Sequence, residues 1–141
     1  MTLNALEEKP LPVYGEGKQI RDWLFVDDHI DGLWSAITRG KPGESYCIGG
    51  AHEICNLNLV RQLCCILDKI QPRANGKPYA ELITFVKDRP GHDFRYATNT
   101  AKIQKDLGWA PKTKFDDGLM KTVEWYAKIF QPTFTQNDSL S

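Results

Sequence analysis

Chemistry in this sequence is best sought around two arginines. Arg89 lies in the run Asp88-Arg89-Pro90-Gly91-His92, where proline and glycine fix an unusual backbone between a cation and an imidazole. Such a loop suits an anion, although rigidity for packing alone would call for the same Pro and Gly. Arg21 stands in a mainly apolar stretch and needs a partner there, either a carboxylate such as Asp22 or Asp27 or a phosphate gripped by the guanidinium fork. Asn56 opens a helical pattern and has two readings, a side-chain cap or an amide offered to a phosphate or sugar at a helix N-terminus. His29 reads as a structural histidine, and His52 carries no specific signal.

Other chemistries lack their residues. Gly15-Glu16-Gly17 and Gly49-Gly50 do not complete the GxGxxG spacing that places backbone N–H groups on a dinucleotide pyrophosphate, so they read as tight turns or places of close approach. There is no GxSxG elbow, and Asp27-Asp28 and Asp116-Asp117 read as helix starts. Cys47, Cys55, Cys64 and Cys65 form no CxxC pair and no zinc-type grouping. Cys64 and Cys65 fall in an apolar helical pattern and are expected to pack as small hydrophobes, with reduced thiols and a cytoplasmic setting. Eighteen Lys and Arg against eighteen Asp and Glu leave a formal net charge of +0, without the field that draws a chain onto nucleic acid or an anionic membrane. No apolar run reaches membrane-spanning length, and the first residues lack the pattern of a secretory signal.

The positioning elements follow from periodicity and punctuation. Residues 1–9 read as a short helix tail, and Pro10 and Pro12 then force an extended path into a short strand at Val13 and Tyr14, closed by the turn at 15–17. Gln19 to Val26 reads as an extended segment. Asp27 or Asp28 is expected to cap a helix whose stripe is Ile30, Leu33, Trp34 and Ile37, stopped by Gly40. Gly43 to Gly50 reads as a turn, a short buried strand and a glycine-rich exit. A second helix follows from Asn56, with Leu59, Val60, Leu63, Ile66, Leu67 and Ile70 inward and Pro72 beyond it. Residues 71–81 form a loop, and Leu82 to Val86 is a buried strand running straight into the Asp88–His92 loop, where α/β folds commonly place ligand contacts. Asn99 caps a short helix, Trp109 buries its indole, and Thr113 with Asp116 forms a capping box for a last helix. That helix is lined by Phe115, Leu119, Val123, Tyr126 and Phe130. The expectation is an α/β unit of about four helices and three or four short strands over residues 1–130, without a complete Rossmann domain. A polar, disordered tail is expected over 131–141.

Taken together, PLPVYGEGKQIRDWLFVDDHIDGL from Pro10 to Leu33, GESYCIGG, NLNLV, DRPGHDFRYA from Asp88 to Ala97 and LGWAPKTKFDDGLMKTVEWY are collinear with a known pattern. They resemble the C-terminal, substrate-binding part of the dTDP-glucose 4,6-dehydratase family of extended short-chain dehydrogenase/reductases, over residues 3 to 127. Two departures stand out, Cys47 where Asn is usual and Asn99 where Asp is common.

The resemblance implies a nucleotide-sugar binding lobe. Pro12, Val13, Tyr14, Gly15, Glu16 and Gly17 match the segment lying along the nucleotide, and Arg21 matches a phosphate-side arginine. Asn56 matches an asparagine on the diphosphate. Asp88, Arg89, Pro90, Gly91 and His92 match the loop that closes on the nucleotide, with Arg89 on the pyrophosphate. The family's NAD-binding Rossmann domain, its Tyr-x-x-x-Lys pair and its acid pair are expected to have no counterpart here, so no catalytic residue is assigned and no cofactor is expected on this chain alone. In the family, a sugar C4 hydroxyl gives hydride to NAD, water is eliminated across C5 and C6, and the hydride returns to C6. The implied partner is a dTDP-sugar nucleotide, with two alternatives: a split enzyme completed by a separate NAD-binding chain, or a non-catalytic interaction remnant.

Overall fold

The structure is a computed structural model and describes residues 1–130; the expected tail over 131–141 lies outside the described residues. Ten elements follow one another: α1 (Thr2–Leu6), β1 (Leu11–Tyr14), β2 (Ile20–Asp22), α2 (Val26–Arg39), β3 (Glu53–Cys55), α3 (Asn56–Ile70), a 3-10 turn (Tyr79–Leu82), β4 (Ile83–Val86), α4 (Ala101–Leu107) and α5 (Phe115–Ile129). The described residues thus hold five α-helices rather than about four, because the N-terminal tail closes a full turn of its own.

The strands form two pairs. β1 runs parallel to β4, in register from Leu11 opposite Ile83 to Tyr14 opposite Val86. β2 runs antiparallel to β3, with Arg21 opposite Ile54. β1 alternates buried and exposed residues, so Leu11 and Val13 face inward while Pro12 and Tyr14 face out. β4 is a strand as expected but not a buried one, since Phe85 is 59% exposed. The strand expected within 43–50 does not form: no described strand pairs with it, and Cys47 is exposed. β3, three residues long, was not anticipated.

The main core gathers Ala5, Leu11, Val13, Val60, Leu63, Cys64, Leu67, Tyr79 and Val123, which packs α1, β1, α3 and α5 together. Cys64 behaves as the expected small hydrophobe, and burial pushes its thiol up to about 12. Cys65 instead faces out. A smaller cluster of Ile103, Leu107 and Trp109 joins α4 to α2, burying the Trp109 indole as anticipated. Asn99 accepts the Ala101 N–H at 2.9 Å and so supports the start of α4.

The other expected caps are replaced. α2 begins one residue before Asp27, and Asp28 reaches across to accept the Thr113 N–H at 2.9 Å. That bond also takes Thr113 out of its expected capping box, and α5 starts after Lys114 without a side-chain cap. α2 turns its small, close-packed side inward through Gly32 and Ser35. Its apolar stripe faces outward instead, with Trp34 66% and Ile37 76% exposed. His29 is exposed as well.

Val123 and Leu67 are fully buried at the junction of α3 and α5. Leu67→Ala is expected to lower stability by about 2–5 kcal/mol, measured by urea denaturation, through lost burial and a residual cavity. Trp34→Ala, on the exposed stripe, is expected to change it by less than about 0.5 kcal/mol.

Candidate functional site

Because β1 and β4 are parallel, their C-terminal ends lie side by side, and the next residues of each strand meet. The ladder extends one step further, from the Gly15 N–H to the Val86 carbonyl at 2.9 Å. Gly15 and Gly17 both adopt left-handed backbone, at φ +55° and +70°. A Cβ on Gly17 would lie 2.6 Å from Val13 Cγ1 and 2.7 Å from Leu57 Cβ, and one on Gly15 would lie 3.1 Å from Asp88 Oδ2. The two glycines therefore let the turn sit against α3 on one side and against the 88–92 loop on the other.

Asp88 ties these segments together. Its Oδ2 accepts the Gln19 side-chain amide at 2.6 Å. Its Oδ1 accepts the Arg89 N–H at 2.9 Å and faces His92 Nδ1 at 2.7 Å. The hydrogen bond from His92, helped by those from Arg89 and Gln19, holds the Asp88 carboxyl below the usual aspartate range against the opposing effect of desolvation. Tyr14 stands edge-on to the His92 ring with centroids 6.0 Å apart, and the Arg89 guanidinium lies 5.8 Å from the Tyr14 ring centre.

Arg21 projects from β2 beside the segment 93–96, which is held to Ile20 by N–H to O bonds from Ile20 to Phe94 and from Tyr96 to Ile20. Neither Asp22 nor Asp27 pairs with it. Asp22 instead accepts the Gly50 and His52 N–H groups at 3.1 and 3.0 Å. Among the described residues the Arg21 guanidinium donates only to the carbonyls of Ile20 and Asp93, and it lies 4.8 Å from the Tyr96 ring centre. Tyr96 also donates to the Asp93 carboxylate, which raises its phenol, while Arg21 and Arg89 both act on that phenol in the opposite sense. Among the described residues neither arginine has a carboxylate partner.

Asn56 is the first residue of α3, not its cap. The Gly17 and Gln19 carbonyls accept the N–H groups of Leu57 and Asn56 at 3.0 and 2.9 Å, doing what a capping side chain would do. The Asn56 amide is left without a hydrogen-bond partner among the described residues. The structure thus brings 12–17, Asn56 and 88–92 into one neighbourhood, with Arg21 adjoining it through its bond to the Asp93 carbonyl. Sequence reasoning passed over Gln19 and Tyr96; the signal for Gln19 was a polar side chain flanked by a turn and a strand. It also expected no Tyr-x-x-x-Lys pair, yet Tyr14 and Lys18 stand at that spacing. The left-handed turn between them keeps the two off a common helix face, and Lys18 pairs with Glu16 at 2.5 Å on the surface. Among the described residues no group of His, Cys, Asp and Glu could hold a metal ion, and no helix is long and apolar enough to cross a membrane.

The family model described as GDP-mannose 4,6 dehydratase matches residues 1–122. The chain belongs to this dehydratase family. A dTDP-glucose 4,6-dehydratase of Neisseria meningitidis serogroup B is 55% identical over 139 residues, covering 97% of this chain and 39% of its own length. The crystal structure of dTDP-glucose 4,6-dehydratase from Bacillus anthracis in complex with NAD superposes with a TM-score of 0.77 at 41% identity, over 91% of this chain and 38% of that one. UDP-glucose 4-epimerase from Thermotoga maritima, solved with UDP-glucose, gives 0.75 at 25% identity, over 90% and 38%. The chain therefore spans less than two fifths of the length of these dehydratase and epimerase relatives, and its α/β fold is theirs over that span.

For Asp88 the sign of the pH dependence is set by its depressed carboxyl. The stability it contributes is complete above the usual aspartate value of about 4 and is lost as pH falls through the lower folded value. Denaturation curves collected from pH 6 down to pH 2 are expected to show this loss in the native chain and a smaller one in Asp88→Asn.

Proposed function

We propose that this chain is the substrate-side lobe of a dTDP-glucose 4,6-dehydratase, the C-terminal portion in that family, and that it recognises the nucleotide diphosphate of a dTDP-sugar. The observation that carries this reading is the pair of arginines, Arg89 in the loop that follows β4 and Arg21 bonded to the Asp93 carbonyl just beyond that loop, neither with a carboxylate partner among the described residues. Two guanidinium groups held by carbonyls and aromatic faces keep donors for a diphosphate, which they can bind bidentately. The Asn56 amide adds a neutral donor at the N-terminus of α3, where the helix dipole favours negative charge. Tyr14, exposed beside Arg89, supplies an aromatic face. Relatives solved or named with dTDP-glucose and UDP-glucose support a nucleotide-sugar ligand, and the dTDP-glucose dehydratases among them favour dTDP.

The described residues do not fit NAD. The Gly15–Gly17 turn leads into β2 rather than into a helix, so it lacks the helix N-terminus on which a dinucleotide pyrophosphate rests. In this reading the lobe binds and orients the nucleotide, while hydride transfer and water elimination belong to residues outside those described. The outward apolar stripe of α2 supports a second reading at the level of assembly, in which a separate NAD-binding chain covers Ile30, Leu33, Trp34 and Ile37.

Calorimetric titration of the chain with dTDP, UDP and dTDP-glucose tests the proposal. Saturable binding of dTDP is expected, weaker for UDP. Arg21→Ala and Arg89→Ala are each expected to weaken it roughly 10- to 100-fold, the range for losing a charge-assisted hydrogen bond. A folded chain that gives no heat with any of the three would refute a self-sufficient recognition lobe.

A further inference from the structure

Gln19 joins two segments of the proposed site, the start of α3 and the Asp88–His92 loop, yet belongs to none of the groups expected to bind the nucleotide. It is 7% exposed. Its backbone carbonyl accepts the Asn56 N–H and thereby seats α3 against the turn. Its side-chain amide spans 69 residues of sequence to donate to Asp88 Oδ2 at 2.6 Å. Asp88 uses its other oxygen for the Arg89 N–H and for His92, so its orientation decides where the backbone of Arg89 and the ring of His92 stand. The Gln19 Oε1 is buried and has no partner among the described residues. Burying an amide has a desolvation cost that a purely packing role would have avoided with an apolar residue. The amide is therefore kept for its donor.

We infer that Gln19 is a positioning residue: by donating to Asp88 it sets the Arg89–His92 loop against the Gly15–Gly17 turn in the geometry that receives the diphosphate. The inference rests on the nucleotide-binding reading above. The polarity of one hydrogen bond is the essential feature, because Asp88 accepts with both oxygens and needs a donor facing Oδ2. A glutamate at 19 would set two acceptors against each other at that distance, whereas an asparagine at 88 could keep Oδ1 for Arg89 and His92 and turn its Nδ2 donor toward the glutamate.

The test compares the native chain, Gln19→Glu and the double variant Gln19→Glu/Asp88→Asn at pH 7.5, using dTDP titration and amide hydrogen exchange. Gln19→Glu is expected to weaken dTDP binding at least about tenfold and to speed exchange in residues 87–92, with exchange in α5 unchanged. The double variant is expected to recover affinity to within about threefold of native and to restore slow exchange, since the hydrogen bond re-forms with its direction reversed. Native affinity in Gln19→Glu, or a loss that Asp88→Asn does not repair, overturns the inference. Should Gln19→Glu fail to fold, Gln19→Met keeps the volume and removes the donor; it is expected to show the same weakening and faster loop exchange, and native behaviour in it likewise overturns the inference. If the native chain itself does not bind dTDP, the nucleotide reading falls, while the exchange comparison still shows whether the Gln19–Asp88 contact orders the loop.

Discussion

The parallel pairing of β1 with β4 is the constraint on which the rest depends. Four residues on each side join parts of the chain that lie far apart in sequence, and only in this direction do both strands end at the same edge. Reversing the direction of either strand would send Gly15–Gly17 and Asp88–His92 to opposite ends of the sheet. The pairing also places Leu11 and Val13 under α3 and α5, so the apolar contacts that stabilise the fold and the loops that form the site share one ladder. Two strands alone make a weak sheet, and the helices laid on its inner face supply what the ladder lacks.

Electrostatically, the neighbourhood is arranged by separating its acids from its cations. Asp88 is occupied by Gln19, His92 and the Arg89 backbone, Asp93 by the Tyr96 hydroxyl, and Asp22 by two N–H groups of the following loop. Each of these carboxylates, near enough to have neutralised a guanidinium, is thus already engaged by another donor. Arg95 shows the contrast, since it is held by both oxygens of Glu53 at 2.6 and 2.7 Å and reads as a structural ion pair between two surface segments. Paired and unpaired arginines a few residues apart are distinguished only by what the carboxylates around them are already doing.

Much of this was legible before the structure. The 3.6-residue recurrence of Val60, Leu63 and Leu67 located α3 and its inner face, and the glycine turn at 15–17 and the strand before Asp88 were placed from local chemistry, while Arg21 found backbone carbonyls in place of the expected Asp22 or Asp27. What failed shares one cause, which is that local pattern reports a need and not the group that meets it. α3 needed its first N–H groups accepted, and the Gly17 and Gln19 carbonyls did this in place of the Asn56 side chain. Asp28 had the chemistry of a cap, but Thr113, 85 residues away in sequence, took its oxygen. The stripe on α2 gave the correct helix, while its amphipathic pattern could not say that no described element covers it. Residues 43–50 have strand-like composition without a strand among the described residues to pair with, and β3 is too short to show alternation at all.

The same ladder has a consequence for how the chain is made. Leu11 and its partner Ile83 differ by 72 positions (83 − 11), so β1 leaves the ribosome long before β4 exists. At the usual elongation rate of roughly 5–20 residues per second, the wait is roughly 4–14 seconds. Throughout that interval Leu11 and Val13 lack their strand partner, and α3, which emerges in between, can shelter them only in part. The growing polypeptide therefore carries an unpaired strand through that interval, and the order in which its pieces appear is as much a part of its folding problem as the contacts they finally make.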